Sequence, residues 1–344
     1  MTATSVIMSA LTLAATSGDL PVNGGVRLPE SLVGNPLVEE WDTPYQTPPF
    51  SEIELAHYEP AFDYAIAVNR AEVEAIINNP EAPTFENTIV AMTESGELLG
   101  RVAGLFFVLN NCSTSDEMQQ IAMNITPKLT ELENDISLNP ELFARVKAVY
   151  DQRKKLKLDE QDMQLLEDTY KGFARSGALL EGKDKELYRE YSSELSQLTL
   201  KFGQNAQAAT NAFSYNITDP AKVEELPAFV KEGLAAEAEA RGEKGWTVTL
   251  HAPSYSPFMT YSTQRDIKEA LYRAYNTRGI GGETDNVENI RRIAELRLKI
   301  ANLLGYKCYA DYVLEDRMAE STKTVNGFLA ELNKATLSYA KKDV

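Results

Sequence analysis

The chain has 344 residues, with 51 acidic against 34 basic side chains and a formal net charge of −17. A surface this negative argues against nucleic acid or anionic membrane as the main partner, because both are held through clusters of Lys and Arg. The apolar fraction of 43% is that of a folded globular chain, and the length allows one to three domains.

The chain begins with a short apolar run, Val6 to Ala15, followed by Thr16 and Ser17. Its length suits the apolar core of an export signal. No Lys or Arg precedes it, and the first basic residue is Arg27. The run therefore reads either as an export signal whose start lies upstream or as a disordered leader. Export to a periplasm-like compartment is favoured over the cytoplasm. Gly18 to Pro49 is rich in Pro, Gly and Asn and predicts an extended arm. Residues 1–34 are thus assigned as leader or arm. No stretch is long and apolar enough to span a bilayer.

From about Glu52 the pattern is helical almost throughout. Tyr58, Phe62, Ile66, Val73 and Ile77 form one apolar stripe, stopped by Asn78, Asn79 and Pro80. Thr84 is the N-cap of a second helix, predicted to run from Phe85 through Leu109. The all-round apolar character of Val102 to Leu109 predicts a central buried segment. Ser115 caps a third helix, which Pro127 should kink. Asn139-Pro140 opens a fourth, and Asp159 a fifth. Lys183 to Ala212 predicts one long helix. Trp246 to His251 alternates like a strand and can pair with Phe213 to Ile217. An Ala- and Glu-rich helix lies between them, from Pro227 to Ala240. Arg265 to Tyr275, Val287 to Leu304, Cys308 to Arg317 and Ser321 to the last residue complete the helical series. Gly177 to Gly182 is a candidate domain boundary. No repeat of fixed period is visible. The fold class is all-α with one short β-hairpin-like insertion.

Few residues point to chemistry. Cys112 and Cys308 lack metal or redox spacing and read as small core residues. Gly279-Ile280-Gly281-Gly282 follows a helix and precedes Glu283 and Asp285, so it reads as a turn rather than a phosphate loop. Glu39/Glu40 and Glu224/Glu225 are acidic pairs, and such pairs are more often solvated surface than acid–base machinery. Tyr255, Tyr261, Tyr272, Tyr275, Tyr306, Tyr309 and Tyr312 crowd the last third of the chain. Phenolic rings can line a peptide channel, though most should be core.

Several ordered motifs carry a family likeness. Asn35-Pro36 is followed by Trp41-Asp42-Thr43-Pro44 and Pro48-Pro49-Phe50. Next comes Pro80 through Thr88, with Pro83-Thr84-Phe85-Glu86-Asn87-Thr88. Trp246 through Leu250, Pro253-Ser254-Tyr255, Pro257-Phe258-Met259 and Tyr272-Arg273-Ala274-Tyr275 succeed it. Gly282 to Asn286, Leu303-Leu304-Gly305-Tyr306 and Arg317-Met318-Ala319 complete the series. In this order, from Asn35 to Val344, the chain resembles the thimet-oligopeptidase-like zinc metallopeptidases, the family of bacterial peptidyl-dipeptidase Dcp and oligopeptidase A.

The resemblance implies a mostly helical, two-lobed shell around a deep channel that admits short peptides. Zinc would sit on the channel floor, held by H-E-x-x-H and a later glutamate, as a metallopeptidase requires. Neither histidine of this chain opens such a motif. His57 precedes Tyr58, Glu59, Pro60 and Ala61, while His251 precedes Ala252 and Pro253, a proline taken to spoil a ligand helix. His57 reads instead as a surface or capping residue, and His251 as the end of a strand. No residue is therefore assigned a catalytic, cofactor-binding or metal-ligating role. Residues 35–344 are expected to be the helical N-terminal region of the peptidase, truncated before the zinc motif and inactive alone. They would form one wall of the channel, with short peptides and the missing catalytic lobe as partners. Zinc would belong to the full-length protein, which would release C-terminal dipeptides. The alternative is a free-standing helical module that binds peptides or a partner without cleaving them.

Overall fold

The computed structural model describes residues 22–343, so the candidate export signal lies outside the described residues. Helices dominate, and β structure among the described residues is confined to two antiparallel two-stranded pairings. The chain divides into two compact units, Met1–Ile121 with Ala144–Thr169, and Ala122–Phe143 with Tyr170–Val344.

In the first unit, β1 (Val22–Asn23) pairs with β2 (Val26–Arg27) across Gly24 and Gly25. Both glycines adopt positive φ, 53° and 83°, which a two-residue hairpin turn demands. The segment read as an extended arm is packed further on. Leu28, Leu32, Leu37 and Val38 are buried. Asn35 anchors them, accepting from the Leu37 N–H at 3.0 Å and donating to the His57 carbonyl at 3.0 Å.

The α1 helix (Tyr58–Ile77) follows the predicted stripe and buries Tyr58, Phe62, Ile66 and Val73. His57 sits just before it, its Nδ1 accepting the Glu54 N–H at 3.0 Å, so it is a capping residue. Thr84 caps the next turn by accepting from the Asn87 N–H at 3.1 Å. The single helix predicted from Phe85 to Leu109 is in fact interrupted. A π-helical turn, Phe85–Val90, leads into α2 (Ala91–Glu94), and α3 (Glu97–Cys112) starts afresh. Gly96 causes the break: its φ is 76°, and its N–H is held by Glu72 at 2.7 Å. Nor is α3 central. Val102 and Phe106 are buried, whereas Val108 is 60% exposed. The helix buries one face, with Phe106 edge-on to Tyr58 and Phe62 at 5.0 and 5.6 Å.

Three helices contribute residues to both units: α4 (Asp116–Ser137), α5 (Pro140–Asp151) and α6 (Glu160–Arg175). Their predicted caps are in place. Ser115 accepts from the Met118 N–H at 3.2 Å, Asn139 from Leu142 at 2.9 Å, and Asp159 from Asp162 at 2.9 Å. Helix α4 continues through Pro127 as one element. Gly177, in the segment Gly177 to Gly182 read as a candidate domain boundary, ends α6. Gly177 has φ 89°, and the next residue, Ala178, donates back to the Phe173 carbonyl at 3.0 Å, a helix-terminating turn.

In the second unit, α7 (Gly182–Ala212) is the long helix expected, yet it buries no residue completely. The β3 strand (Ser214–Ile217) and the β4 strand (Trp246–Thr249) pair in the predicted antiparallel sense, Ile217 opposite Trp246. The α8 helix (Ala228–Ala240) covers them with Val230 and Leu234. Next come α9 (Ala252–Tyr261) and α10 (Arg265–Asn276), whose Phe258, Ile267 and Leu271 complete this core at 0% exposure. Helix α9 was not anticipated. Pro253 lies in its first turn, where the missing N–H costs nothing and the fixed φ suits a helix start. The unit continues with α11 (Val287–Leu303), α12 (Tyr309–Leu314) and α13 (Thr322–Asp343). Along α13, Phe328, Leu329, Leu332 and Leu337 are exposed. The cysteines are not core residues: Cys112 is exposed at the end of α3, and Cys308 is half-buried before α12.

Candidate functional site

The sharp turn from α9 to α10 builds a groove of about 530 Å³, lined by Met259, Thr263, Arg265, Lys268, Glu269 and Tyr272. Helical spacing explains the lining. Arg265, Lys268 and Tyr272 stand at i, i+3 and i+7 on one face of α10, while Ile267 and Leu271 point to the core. The turn is fixed by Glu225. Its carboxylate accepts from the Thr263 N–H at 2.7 Å, the Thr263 hydroxyl at 2.9 Å and the Ser262 hydroxyl at 3.3 Å.

These donors hold the Glu225 carboxyl below its ordinary value of 4.5, the Thr263 backbone N–H contributing most. This excludes Glu225 as a general base poised near neutrality and makes it a latch. A carboxyl whose folded value is depressed contributes fully above its ordinary value. The contribution is lost as pH falls through the folded value. Amide exchange at the start of α10 should therefore speed up below about pH 4.5, beyond the intrinsic trend, and Glu225→Gln should abolish that extra dependence. An unchanged pH profile in the variant would contradict the latch.

Four tyrosines lie on α9 and α10, and Tyr272 among them lines the groove. Tyr255 and Tyr275 stack at 4.3 Å with an interplanar angle of 19°. Arg278 lies 3.8 Å from the Tyr275 ring centroid and donates to Thr210 at 3.0 Å. Burial pushes the Tyr255 phenol up, with Tyr275 and Tyr272 adding to the effect, so it remains a donor at neutral pH. Tyr272 is 58% exposed, and Tyr261 packs edge-on to Phe229 at 6.0 Å.

Tyr306, Tyr309 and Tyr312 form a separate group around Arg175. The Arg175 guanidinium donates to Glu315 at 2.7 Å and to the Tyr312 carbonyl at 2.7 Å, with the Tyr312 ring 4.5 Å away. The Tyr306 hydroxyl closes the set by donating to Glu315. Every member has a partner inside the group, and Arg175 thereby clamps α12 to the end of α6. The tyrosines after Tyr255 thus fall into separate clusters, and Tyr272 lines the α9–α10 groove.

The glycine-rich loop is the turn expected. Gly279, Gly281 and Gly282 have φ of 71°, 75° and 71°, and Asn286 stitches the loop down. Asn286 is 2% exposed and donates to the Phe202 carbonyl at 3.0 Å. Its Oδ1 accepts from Asn205 at 3.1 Å and Asn289 at 2.8 Å. Asn286→Ala leaves these donors without their acceptor and should cost about 2 kcal/mol. It should also deprotect residues 279–286 in hydrogen exchange, and unchanged protection there would count against the stitch.

Among the described residues no three His, Cys, Asp or Glu side chains gather as ligands. His57 is committed to its cap. His251 lies on a second groove, of about 330 Å³, whose other members include Phe229, Gly233, Pro253 and Pro257. The acid there, Glu237, is paired with Arg241 at 2.6 Å. The acidic pair Glu39/Glu40 is likewise structural in part, Glu39 accepting the Gly34 N–H at 2.8 Å.

Residues 258–344 match the model of peptidase family M3. The chain is 35% identical over 315 residues to dipeptidyl carboxypeptidase of Escherichia coli (strain K12), covering 90% of this chain and 46% of that protein. It is similar to members of peptidase family M3. Oligopeptidase A of the same organism is 30% identical over 315 residues, with the same coverage. Saccharolysin of Saccharomyces cerevisiae is 23% identical over 266 residues, 77% of this chain and 37% of that one. The chain thus spans about half the length of the curated relatives it matches, and the M3 family is one of zinc metallopeptidases. The family match begins at Phe258, so the groove of α10, the glycine-rich loop and α11 to α13 all lie within it. Sequence reading pointed to the tyrosines after Tyr255 but passed over Arg265 and Lys268. Their i, i+3 spacing beside Tyr272 was the available signal.

Proposed function

We propose that this chain is the peptide-handling, non-catalytic N-terminal region of a zinc metallopeptidase that hydrolyses short peptides and releases C-terminal dipeptides. The observation that carries this reading is the 35% identity to dipeptidyl carboxypeptidase across 90% of the chain. The 30% identity to oligopeptidase A supports the same chemistry and favours the dipeptide-releasing branch by its smaller value. The H-E-x-x-H motif does not occur in these 344 residues. In this reading, the groove and its tyrosines belong to a wall of the peptide channel, and the zinc chemistry comes from polypeptide outside this sequence. The exposed Phe328, Leu329 and Leu332 on α13 would pack on that polypeptide. No step of bond cleavage is assigned to a residue here.

A chimera tests this. The 315-residue segment of E. coli dipeptidyl carboxypeptidase that matches this chain is replaced by the corresponding part of this chain. The chimera should fold, hold zinc and release dipeptides from the C-terminus of an N-blocked tetrapeptide. A folded, zinc-loaded chimera without dipeptide release would overturn the proposal.

A further inference from the structure

Helix α9 contains no charged residue. The turn and α10 that follow it carry Arg265, Lys268 and Arg273 against Asp266 and Glu269. The acids are already matched: Asp266 pairs with Lys222 at 3.0 Å, and Glu269 with Arg273 at 2.8 Å. Glu225, under the turn, is occupied by Thr263 and Ser262. Among the described residues, Arg265 and Lys268 are left with no ion pair or side-chain hydrogen bond. Two unmatched cations thus share one groove in a chain of formal charge −17.

Their surroundings suit a peptide. On a helix, residues three apart have Cβ atoms about 5–6 Å from each other, so both heads can reach one carboxylate. Lys268 is half-buried and lines the groove, and a lysine so placed can lay its aliphatic stem on apolar surface while its ammonium stays in water. Tyr272, one turn on, and Met259 supply an apolar bed. The Thr263 hydroxyl donates to Glu225 and keeps lone pairs for a backbone N–H.

We propose that the α9–α10 groove binds the carboxylate of a short acidic peptide through Arg265 and Lys268, against Tyr272 and Met259. The proposal rests on the peptide-handling reading of this chain and names the substrate class of that groove. The carboxylate can come from a Glu or Asp side chain or from the peptide C-terminus.

Four dansyl-labelled tripeptides separate the sources: Ala-Phe-Glu with a free C-terminus, its C-terminal amide, Ala-Phe-Gln with a free C-terminus, and the Ala-Phe-Gln amide. Fluorescence polarisation measures their affinity for the 344-residue chain. The peptide with both carboxylates should bind at least about tenfold more tightly than the doubly neutral one, and added salt should erase the gap. Arg265→Gln and Lys268→Gln should each weaken it roughly three- to tenfold and leave the doubly neutral peptide unchanged. The singly neutral peptides then assign the bound carboxylate. The double charge reversal, Arg265→Glu with Lys268→Glu, should invert the preference toward an Ala-Phe-Lys amide. Arg291→Gln, an exposed cation on α11, is the control and should change nothing.

Equal affinity for all four peptides, binding of none, or indifference to both Gln variants would overturn the proposal. Cleavage is not read in this experiment. Loss of carboxylate discrimination leaves the metallopeptidase reading intact, and failure of the chimera leaves carboxylate discrimination intact.

Discussion

Phe106→Ala is expected to destabilise the first unit by about 3–5 kcal/mol, the usual cost of removing a buried aromatic ring. Phe106 is fully buried on α3 and meets Tyr58, Phe62 and Phe107 with ring centroids 5.0, 5.6 and 5.2 Å away. Large side chains from both packed helices surround the site, so it cannot collapse cheaply. Domains of this kind hold a total of roughly 5–15 kcal/mol, so the loss is a large share. The chain has two tryptophans, Trp41 and Trp246, one in each unit. Trp41 donates to the Pro36 carbonyl at 2.7 Å and lies under Arg101, which makes it a reporter for the first unit. In a Trp246→Phe background, the urea midpoint of Trp41 fluorescence should fall sharply on Phe106→Ala. A shift worth less than about 1 kcal/mol would mean that the ring is not the centre of that core.

Gly245→Ala should have a comparable effect on the second unit, by a different mechanism. Gly245 has φ of 92°, and a Cβ there would stand 2.2 Å from the carbonyl oxygen of Ile217. Side chains are strained at that φ, and a backbone oxygen cannot swing aside as a flexible side chain can. Ile217 pairs with Trp246 at the end of the two-stranded sheet and is 3% exposed within the core of Val248, Phe258 and Leu271. Relief of the clash must separate β3 from β4, at a cost of about 3 kcal/mol. Trp246 fluorescence in a Trp41→Phe background reads the change directly. Wild-type stability in this variant would show that the turn tolerates a side chain.

Much of the fold was legible because its helices are long and punctuated. Thr84, Ser115, Asn139 and Asp159 each act as the cap their chemistry suggests. The β-branched run at Trp246 finds its predicted partner. One helix was read too long and another passed over where a glycine or proline carries opposite meanings. Gly96 breaks an apolar run that periodicity alone would continue, and Pro253 starts a helix that proline alone does not announce. The burial of α3 was overread for another reason: an apolar run specifies hydrophobic surface but not what covers it, and Val108 stays exposed.

The site was less legible. Composition announced a crowd of tyrosines, but spacing could not tell that Tyr255 stacks on Tyr275 while Tyr306 and Tyr312 close on Arg175. That sorting depends on contacts between residues far apart in sequence. Arg265 and Lys268 look like ordinary surface charges until their acidic neighbours are seen to be paired elsewhere. Glu225 looked like half of an acidic pair and is a helix latch, because its hydrogen-bond donors lie 37 and 38 residues away.

The central claim is that these residues handle peptide without supplying the cleavage chemistry. One preparation of the 344-residue chain tests it, dialysed against zinc and then assayed with a quenched fluorescent peptide. The account predicts no zinc retained in a one-to-one ratio and no cleavage above the buffer rate. Stoichiometric zinc together with robust cleavage, abolished by a chelator, would contradict it.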